Sequence, residues 1–421
     1  MLTAMAVLQV LWLVSIWQTG TAASPWKLPP LLGYSLLCPF VVAFIPTVFP
    51  TKTAAAERIE SRTFLSLALL VIALIGAMYA YLQHGWPDET LVFAAAQQVT
   101  EQGVSAFFAN YVQIPWLGTQ HPPLAVLIYG GALWLFGPSL FILRLVALVF
   151  SVGMLLLTYR IGCELYDRTT GIWAAGALLV TPFFLRIGTT ALNDVPLTFC
   201  FTLAVFLTLR LVATPNYKLA LGLGLSIGAG LLCKYTMLLV YPVALIAVLL
   251  HGQWRRLLPY LLVTLMVSLS IFGLWLVFAA QLGVFDVQQR VLSKYATYVV
   301  ATNKGKRWLL GVLGMRLPSG IGMYLLPPLF LGVWQLFRQR SRSDLFVLLW
   351  ILAVFLPLML TMPGPRYFFP AFPALAIAMA RGMVHVREEK ASLVLFVLLS
   401  WGGILYLFVD WQRAAGGLFV R

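Results

Sequence analysis

Long apolar stretches separated by short polar linkers run along most of the 421-residue chain. A helix needs roughly 20 mostly apolar residues to cross a bilayer, and fourteen stretches approach that length. They lie at about residues 2–17, 31–49, 63–82, 122–137, 140–161, 171–187, 195–212, 218–232, 235–250, 256–280, 319–337, 344–362, 366–384 and 392–410. No repeat or low-complexity linker divides them. The pattern therefore predicts an all-α, polytopic integral membrane protein with a single domain over residues 1–421.

The composition supports this interpretation and excludes a large soluble catalytic domain. Hydrophobic residues make up 61% of the chain and charged residues 10%, whereas soluble domains are roughly 45–50% apolar and 25% charged. The net charge is +15. In a soluble protein this charge would suggest that the protein binds nucleic acid. In a membrane protein a positive net charge also arises because cytoplasmic loops are rich in Lys and Arg. No nucleic-acid partner is predicted.

Six short linkers hold 15 of the 28 cations and are therefore placed in the cytoplasm. They are residues 50–62, 160–170, 210–218, 251–256, 338–343 and 381–390. The stretches between them alternate sides correctly except between residues 83 and 160, where two stretches make one net crossing. Residues 122–137 are short and flanked by prolines, so a re-entrant or interfacial helix is predicted there. About 13 spanning helices result, with the N-terminus inside and the C-terminus outside.

The first apolar stretch is predicted to remain in the protein as a helix. A signal peptide is the alternative, because small residues follow the stretch at positions 21–24. No Lys or Arg precedes the stretch, however, and the next spanning stretch follows closely.

Two long external loops differ in charge. Residues 83–121 include Asp88 and Glu89 but no Lys or Arg. The simplest interpretation is a pair of helix-capping acids, and the alternative is that one carboxylate is a general base for a water-borne acceptor. Residues 281–318 hold one acid and six cations, namely Arg290, Lys294, Lys304, Lys306, Arg307 and Arg316. Anionic headgroups or a lipid-linked phosphate are the predicted partners, and a merely solvated loop is the alternative.

Other ionisable residues lie within or at the ends of apolar stretches, where a charge costs roughly 2.5 to 3.5 kcal/mol. Several of these residues fall on the outer side, as do the ionisable residues of the acidic loop 83–121. The two groups are predicted to converge on one external cavity: Asp88, Glu89, His121, Arg144, Asp194, Lys234 and Arg366. The alternative is that each cation reaches headgroups independently. No metal-ligand spacing stands out, so no cofactor is assigned. A divalent metal stays an open alternative because carboxylates and histidines lie nearby.

The ordered set of these residues resembles the protein O-mannosyltransferases and the related bacterial aminoarabinose and lipopolysaccharide sugar transferases. The resemblance covers about residues 63–250 and rests on short motifs: Asp88-Glu89, His121-Pro122-Pro123, Leu143-Arg144-Leu145, Asn193-Asp194 and Lys234-Tyr235, with Arg366-Tyr367 near the end. These families are GT-C enzymes, which are polytopic glycosyltransferases that use polyprenyl-phosphate-linked sugars on the extracytoplasmic face. The resemblance implies two extra helices in residues 1–62, a catalytic module in 63–250, and C-terminal helices with the external loop 281–318 in 251–421.

The resemblance also implies roles for individual residues. Asp88 is the predicted catalytic base, Glu89 places the acceptor or tunes that acid, and Asp194 is the second carboxylate. His121 stands where some relatives have Lys and is predicted to shape the site. Displacing a lipid phosphate also requires cations for the leaving group, and these are predicted to be Lys234, Arg366 and the loop residues Lys304, Lys306 and Arg307. Arg144 is predicted to hold the acidic loop in place.

The predicted function is transfer of a sugar from a polyprenyl-phosphate-linked donor to a lipid, glycan or protein acceptor. The absence of a soluble domain between the helices points to a compact prokaryotic relative in the bacterial plasma (inner) membrane, with its active site facing the periplasm or exterior. A transporter or flippase of an anionic lipid-linked glycan is the main alternative, because buried charges are equally natural there. A structural membrane subunit is a third.

Overall fold

The structure, a computed structural model, describes residue 66, residues 76–77 and residues 87–386, apart from positions 253, 314–316, 323–324 and 362–363. The predicted stretches 2–17, 31–49 and 392–410 and nearly all of 63–82 lie outside the described residues, as does Arg316. Within the described residues every regular element is helical, which confirms the all-α prediction.

The described α-helices are numbered here in chain order. They are α1 Pro87–Ala109, α2 Leu117–Gln120, α3 Leu124–Phe136, α4 Leu140–Leu165, α5 Arg168–Leu179, α6 Pro182–Gly188, α7 Asp194–Ala213, α8 Tyr217–Cys233, α9 Val240–His251, α10 Trp254–Gln281, α11 Phe285–Ala296, α12 Tyr298–Ala301, α13 Asn303–Gly311, α14 Leu317–Ile321, α15 Leu326–Gln339, α16 Arg342–Leu360 and α17 Phe372–Val386. Three 3₁₀ helices cover Tyr111–Gln113, Tyr235–Leu239 and Pro365–Ala371.

Five of the described helices are long and apolar enough to cross a membrane, and α5 with α6, bent by 66°, makes a sixth if counted as one span. The five are α4, α7, α10, α16 and the segment Pro365–Val384. The count of about 13 stays a prediction. Helix α3 has 13 residues and is about 20 Å long, shorter than the roughly 30 Å hydrocarbon core. Whether it spans stays a prediction, because α9, which lies in a stretch predicted to span, has only 12 residues.

Small residues let neighbouring helices pack closely. Helix α8 packs on α10, and α15 packs on α17. A Cβ atom added to Gly332 of α15 would lie 1.8 Å from the carbonyl oxygen of Ala378, and one added to Gly382 of α17 would lie 2.1 Å from that of Pro328. Only glycine fits at these contacts, as is common where membrane helices associate through van der Waals packing.

Much of the two predicted external loops is helical. Helix α1 begins at Pro87, whose fixed φ suits a first helical position. Asp88 and Glu89 lie in its first turn, where the helix dipole favours negative charge. Gly103 interrupts the helix with a φ of +82°. In the second loop, α11 and α13 carry polar outer faces. Both segments were predicted as loops because their hydropathy is too low for a membrane span.

The ends of several helices meet at one place and position the candidate site. These are the N-termini of α1 and α7, the C-terminus of α8 and the 3₁₀ helix Pro365–Ala371. Residues far apart in the sequence thereby become neighbours.

Candidate active site

Four of the predicted site residues form a continuous ion-pair network. The Nζ atom of Lys234 lies 2.6 Å from Oδ1 of Asp194. The Nε atom of Arg366 lies 3.8 Å from Oδ2 of Asp194, and its Nη1 atom pairs with Oδ2 of Asp88. Acids and cations thus alternate in the order Asp88, Arg366, Asp194 and Lys234. These four residues form the ion-pair network.

The network is exposed at one end and buried at the other. The side chain of Asp88 is 29% exposed, whereas that of Asp194 is 3% exposed. Lys234 is buried as well. Asp88 is therefore the carboxylate that a soluble molecule can reach, while Asp194 is enclosed and holds two cations in fixed positions.

Tyr367 lines the cationic side of the network. Its ring centroid lies 4.4 Å from Nζ of Lys234 and 5.5 Å from Cζ of Arg366. A tyrosine ring at this distance attracts both cations through its quadrupole. Because Tyr367 directly follows Arg366, the Arg-Tyr motif supplies both one of the cations and the aromatic ring that contacts Lys234 and Arg366.

The adjacent carboxylates of Asp88 and Glu89 take different partners. Glu89 is fully buried and receives two hydrogen bonds from Arg144, 2.8 Å from Nε to Oε1 and 2.6 Å from Nη2 to Oε2. The backbone N–H of Ala191 also donates to Oε1 at 2.9 Å. Glu89 thereby joins α1, α4 and the segment leading into α7. Its predicted action on the acceptor stays a prediction, and its contacts favour a positioning role.

His121 lies buried beside the network. Its ring packs edge-to-face on Trp116, with 4.2 Å between centroids, and among the described residues no hydrogen-bond partner contacts its Nδ1 atom. Burial, and then the charges of Lys234 and Arg366, hold the pKa of His121 well below its ordinary value. The imidazole is therefore neutral near pH 7 and offers a lone pair rather than a charge.

The structure does not bring the loop cations into the network. Lys304, Lys306 and Arg307 are exposed on α13. In the described part of the chain, no ion pair links them to an acid or to the network. Their role in donor binding stays a prediction.

Several polar residues near the site were not predicted from the sequence. Gln288 of α11 is buried and donates to the backbone oxygens of Gly118 and His121. Tyr129 donates to the backbone oxygen of Leu192 at 3.1 Å. Neither residue carries a charge or belongs to a motif, so nothing in the sequence marked them.

No metal site is evident in the described residues, where no group of three or more His, Cys, Asp or Glu side chains is close enough to hold an ion. The network carboxylates are instead engaged with Arg366 and Lys234. A divalent metal stays an untested alternative.

Comparison with protein families gives a match within this region. Residues 120–278 match the model of the dolichyl-phosphate-mannose-protein mannosyltransferases. The matched segment includes His121, Arg144, Asp194 and Lys234 but neither Asp88 nor Arg366. A comparison with curated protein sequences gives no significant match.

Solved structures share the fold over most of the chain. ArnT from Cupriavidus metallidurans, bound to undecaprenyl phosphate, has a TM-score of 0.62 and 18% identity, covering 85% of this chain and 64% of that one. The oligosaccharyltransferase AglB from Archaeoglobus fulgidus, in complex with an inhibitory peptide and a dolichol-phosphate, has a TM-score of 0.54 and 12% identity, covering 84% and 56%. This chain spans less than two thirds of either. The chain therefore has the GT-C fold of these two proteins, and its residues 120–278 are similar to the mannosyltransferase family model.

Proposed function

We propose that this protein transfers a sugar from a polyprenyl-phosphate-linked donor to an acceptor hydroxyl at the outer face of a bacterial plasma membrane. The observation that carries the proposal is the ion-pair network, in which the accessible carboxylate of Asp88 contacts Arg366, and Asp194 links Arg366 to the buried Lys234. Two fold relatives support the donor class, because their structures contain undecaprenyl phosphate and dolichol-phosphate. The acceptor is a lipid, a glycan or a protein hydroxyl.

Lys234 and Arg366 are the proposed ligands of the donor phosphate. Asp194 contacts both, so their positions are set before the donor arrives. Cations fixed in a water-poor site stabilise charge that develops on a leaving phosphate much better than mobile cations in water do.

Asp88 is the proposed base. Arg366 contacts Oδ2 of Asp88, which leaves the other carboxylate oxygen outside this ion pair. In the proposed step, Asp88 takes the proton of the acceptor hydroxyl, and the acceptor oxygen bonds to the anomeric carbon. The bond from that carbon to the phosphate oxygen breaks, and the polyprenyl phosphate keeps the electron pair. A single displacement of this kind inverts the anomeric configuration.

The alternative is a transporter or flippase of an anionic lipid-linked glycan. One observation favours it: helices α5 and α6 form a bent pair, and broken helices are common at transporter binding sites. In the described part of the chain this bent pair has no counterpart in a second repeat. A transporter also needs no accessible carboxylate beside the phosphate site.

Release of polyprenyl phosphate from a radiolabelled donor by the purified, reconstituted protein tests the proposal. Acceptor-dependent release supports it. An intact donor after prolonged incubation with envelope lipids, glycans and proteins as acceptors contradicts it.

Lys234→Met is expected to raise the KM for the donor by about tenfold to a hundredfold, because a charge-assisted bond to the phosphate is lost. Lys218→Met is the matched control, since Lys218 is exposed near the other end of α8. Steady-state kinetics over a range of donor concentrations measures the effect. Equal donor KM values in the two variants would contradict the role of Lys234.

Replacing Lys304, Lys306 and Arg307 together by Gln is expected to raise the donor KM about tenfold at low ionic strength and much less at 0.5 M salt. The reason is that exposed charges attract an anionic lipid only within a Debye length, about 10 Å at 0.1 M salt. The control replaces the exposed Arg338, Arg340 and Arg342 by Gln on the predicted cytoplasmic side. A KM change that does not depend on salt would contradict an electrostatic role.

A further inference from the structure

Gln288 is a buried polar residue on a helix whose neighbouring positions face outward. Helix α11 starts four residues after the spanning helix α10 ends. Gln289 and Arg290 on the same helix are exposed, whereas Gln288 is only 3% exposed. Burying a primary amide is costly unless its hydrogen bonds are made, so its partners indicate why it is there.

The amide of Gln288 bonds to two separate parts of the site. Its Nε2 atom donates to the backbone oxygens of Gly118 at 3.3 Å and His121 at 3.2 Å. Its Oε1 atom accepts a hydrogen bond from the hydroxyl of Tyr235. Backbone oxygens only accept hydrogen bonds, so the amide nitrogen of Gln288 must be the atom that faces them. Both N–H groups and the oxygen of the amide therefore make hydrogen bonds.

Both partners of Gln288 adjoin residues of the proposed donor site. Tyr235 directly follows Lys234, and its hydroxyl also accepts from Nε1 of Trp275 at 3.1 Å. The backbone oxygen of His121 also accepts from the hydroxyl of Tyr111 at 2.7 Å. One side chain therefore connects the His121 segment, the turn that carries Lys234 and the first helix of the basic loop.

We propose that Gln288 is a positioning residue of the donor site, which docks α11 on the protein and fixes the turn carrying Lys234 against the His121 segment. This inference rests on the proposed function for its kinetic consequence. The docking itself does not depend on which reaction the protein catalyses.

The test compares Gln288→Met with Gln289→Met, because the two glutamines are adjacent and only one is buried. Methionine has a similar length but cannot make the amide bonds. Gln288→Met is expected to raise the donor KM about tenfold with a smaller change in kcat. It is also expected to speed trypsin cleavage at Arg290 and Lys294 severalfold, because a helix that detaches more often is cut more often. Gln289→Met is expected to match the wild type in both.

A second variant tests the connection to Tyr235. Tyr235→Phe removes the hydroxyl that donates to Gln288, and its effect on KM is expected to be smaller and not additive with that of Gln288→Met. Additive effects would overturn the coupling of the two residues. Equal KM and equal cleavage in Gln288→Met and Gln289→Met would overturn the whole proposal.

The remaining outcomes are also decisive. Faster cleavage with an unchanged donor KM would mean that Gln288 docks the helix without positioning the site, which overturns the positioning claim. If the wild type shows no turnover with any donor, the proposed function fails and the positioning claim falls with it. The trypsin comparison still decides the docking claim in that case.

Discussion

Asp88→Asn is expected to lower kcat by about 100-fold to 10,000-fold, the usual loss when a general base is removed. Asparagine keeps the size of the side chain but cannot take the proton of the acceptor. The donor KM is expected to change little, because Lys234 and Arg366 keep their contacts with Asp194. Steady-state kinetics with a polyprenyl-phosphate sugar, together with the thermal midpoint of the purified variant, measures both parts.

Glu101→Gln is the matched control for Asp88→Asn. Glu101 lies on the same helix and is exposed, so neutralising it changes the charge of the outer segment without touching the network. If the kcat of Asp88→Asn lies within tenfold of the kcat of Glu101→Gln, Asp88 is not the base.

Glu89→Met is expected to lower the free energy of unfolding by about 3–5 kcal/mol, because it leaves the buried guanidinium of Arg144 without its carboxylate. The backbone N–H of Ala191 loses its acceptor at the same time. Replacing both Glu89 and Arg144 by Met is expected to cost less than the single change, since neither buried charge of the pair then remains. Equilibrium unfolding in a defined detergent mixture measures the difference.

The exposed ion pair of Arg210 and Glu164 provides the comparison for this prediction. Its atoms lie 2.9 Å apart, but its side chains are 46% and 29% exposed. Glu164→Met is therefore expected to cost about 1 kcal/mol or less. If Glu89→Met costs no more than Glu164→Met, the buried pair does not hold α1 to the rest of the structure.

The class of the fold could be predicted from the sequence, but some local structure could not. Apolar stretches of membrane-spanning length dominate the chain, and the helices Leu140–Leu165 and Trp254–Gln281 follow them closely. The stretch 171–187 was predicted as continuous, whereas the structure bends it by 66° ahead of Pro182. Helix Pro87–Ala109 was predicted as loop because hydropathy detects membrane spans and misses helices of mixed polarity.

The residues of the candidate site were easier to predict from the sequence than the contacts between them. Asp88, Asp194, Lys234 and Arg366 are costly residues at the ends of apolar stretches, and membrane sidedness already placed them on one side. Which acid contacts which cation depends on how helix ends pack, which the sequence does not specify. For that reason the divergence of Asp88 and Glu89 towards different arginines, and the bonds of Gln288, appear only in the structure.

A glycosyltransferase breaks the bond between sugar and lipid phosphate whereas a flippase leaves it intact, and one vesicle experiment separates the two. The purified protein is reconstituted with a polyprenyl-phosphate sugar that carries separate radiolabels on the sugar and the phosphate. With acceptor present, each sugar transferred is expected to appear with one polyprenyl phosphate, and Asp88→Asn is expected to slow the appearance of both by about 100-fold or more. Movement of the intact, doubly labelled donor across the bilayer without bond cleavage would rule out the proposed transfer and identify a flippase.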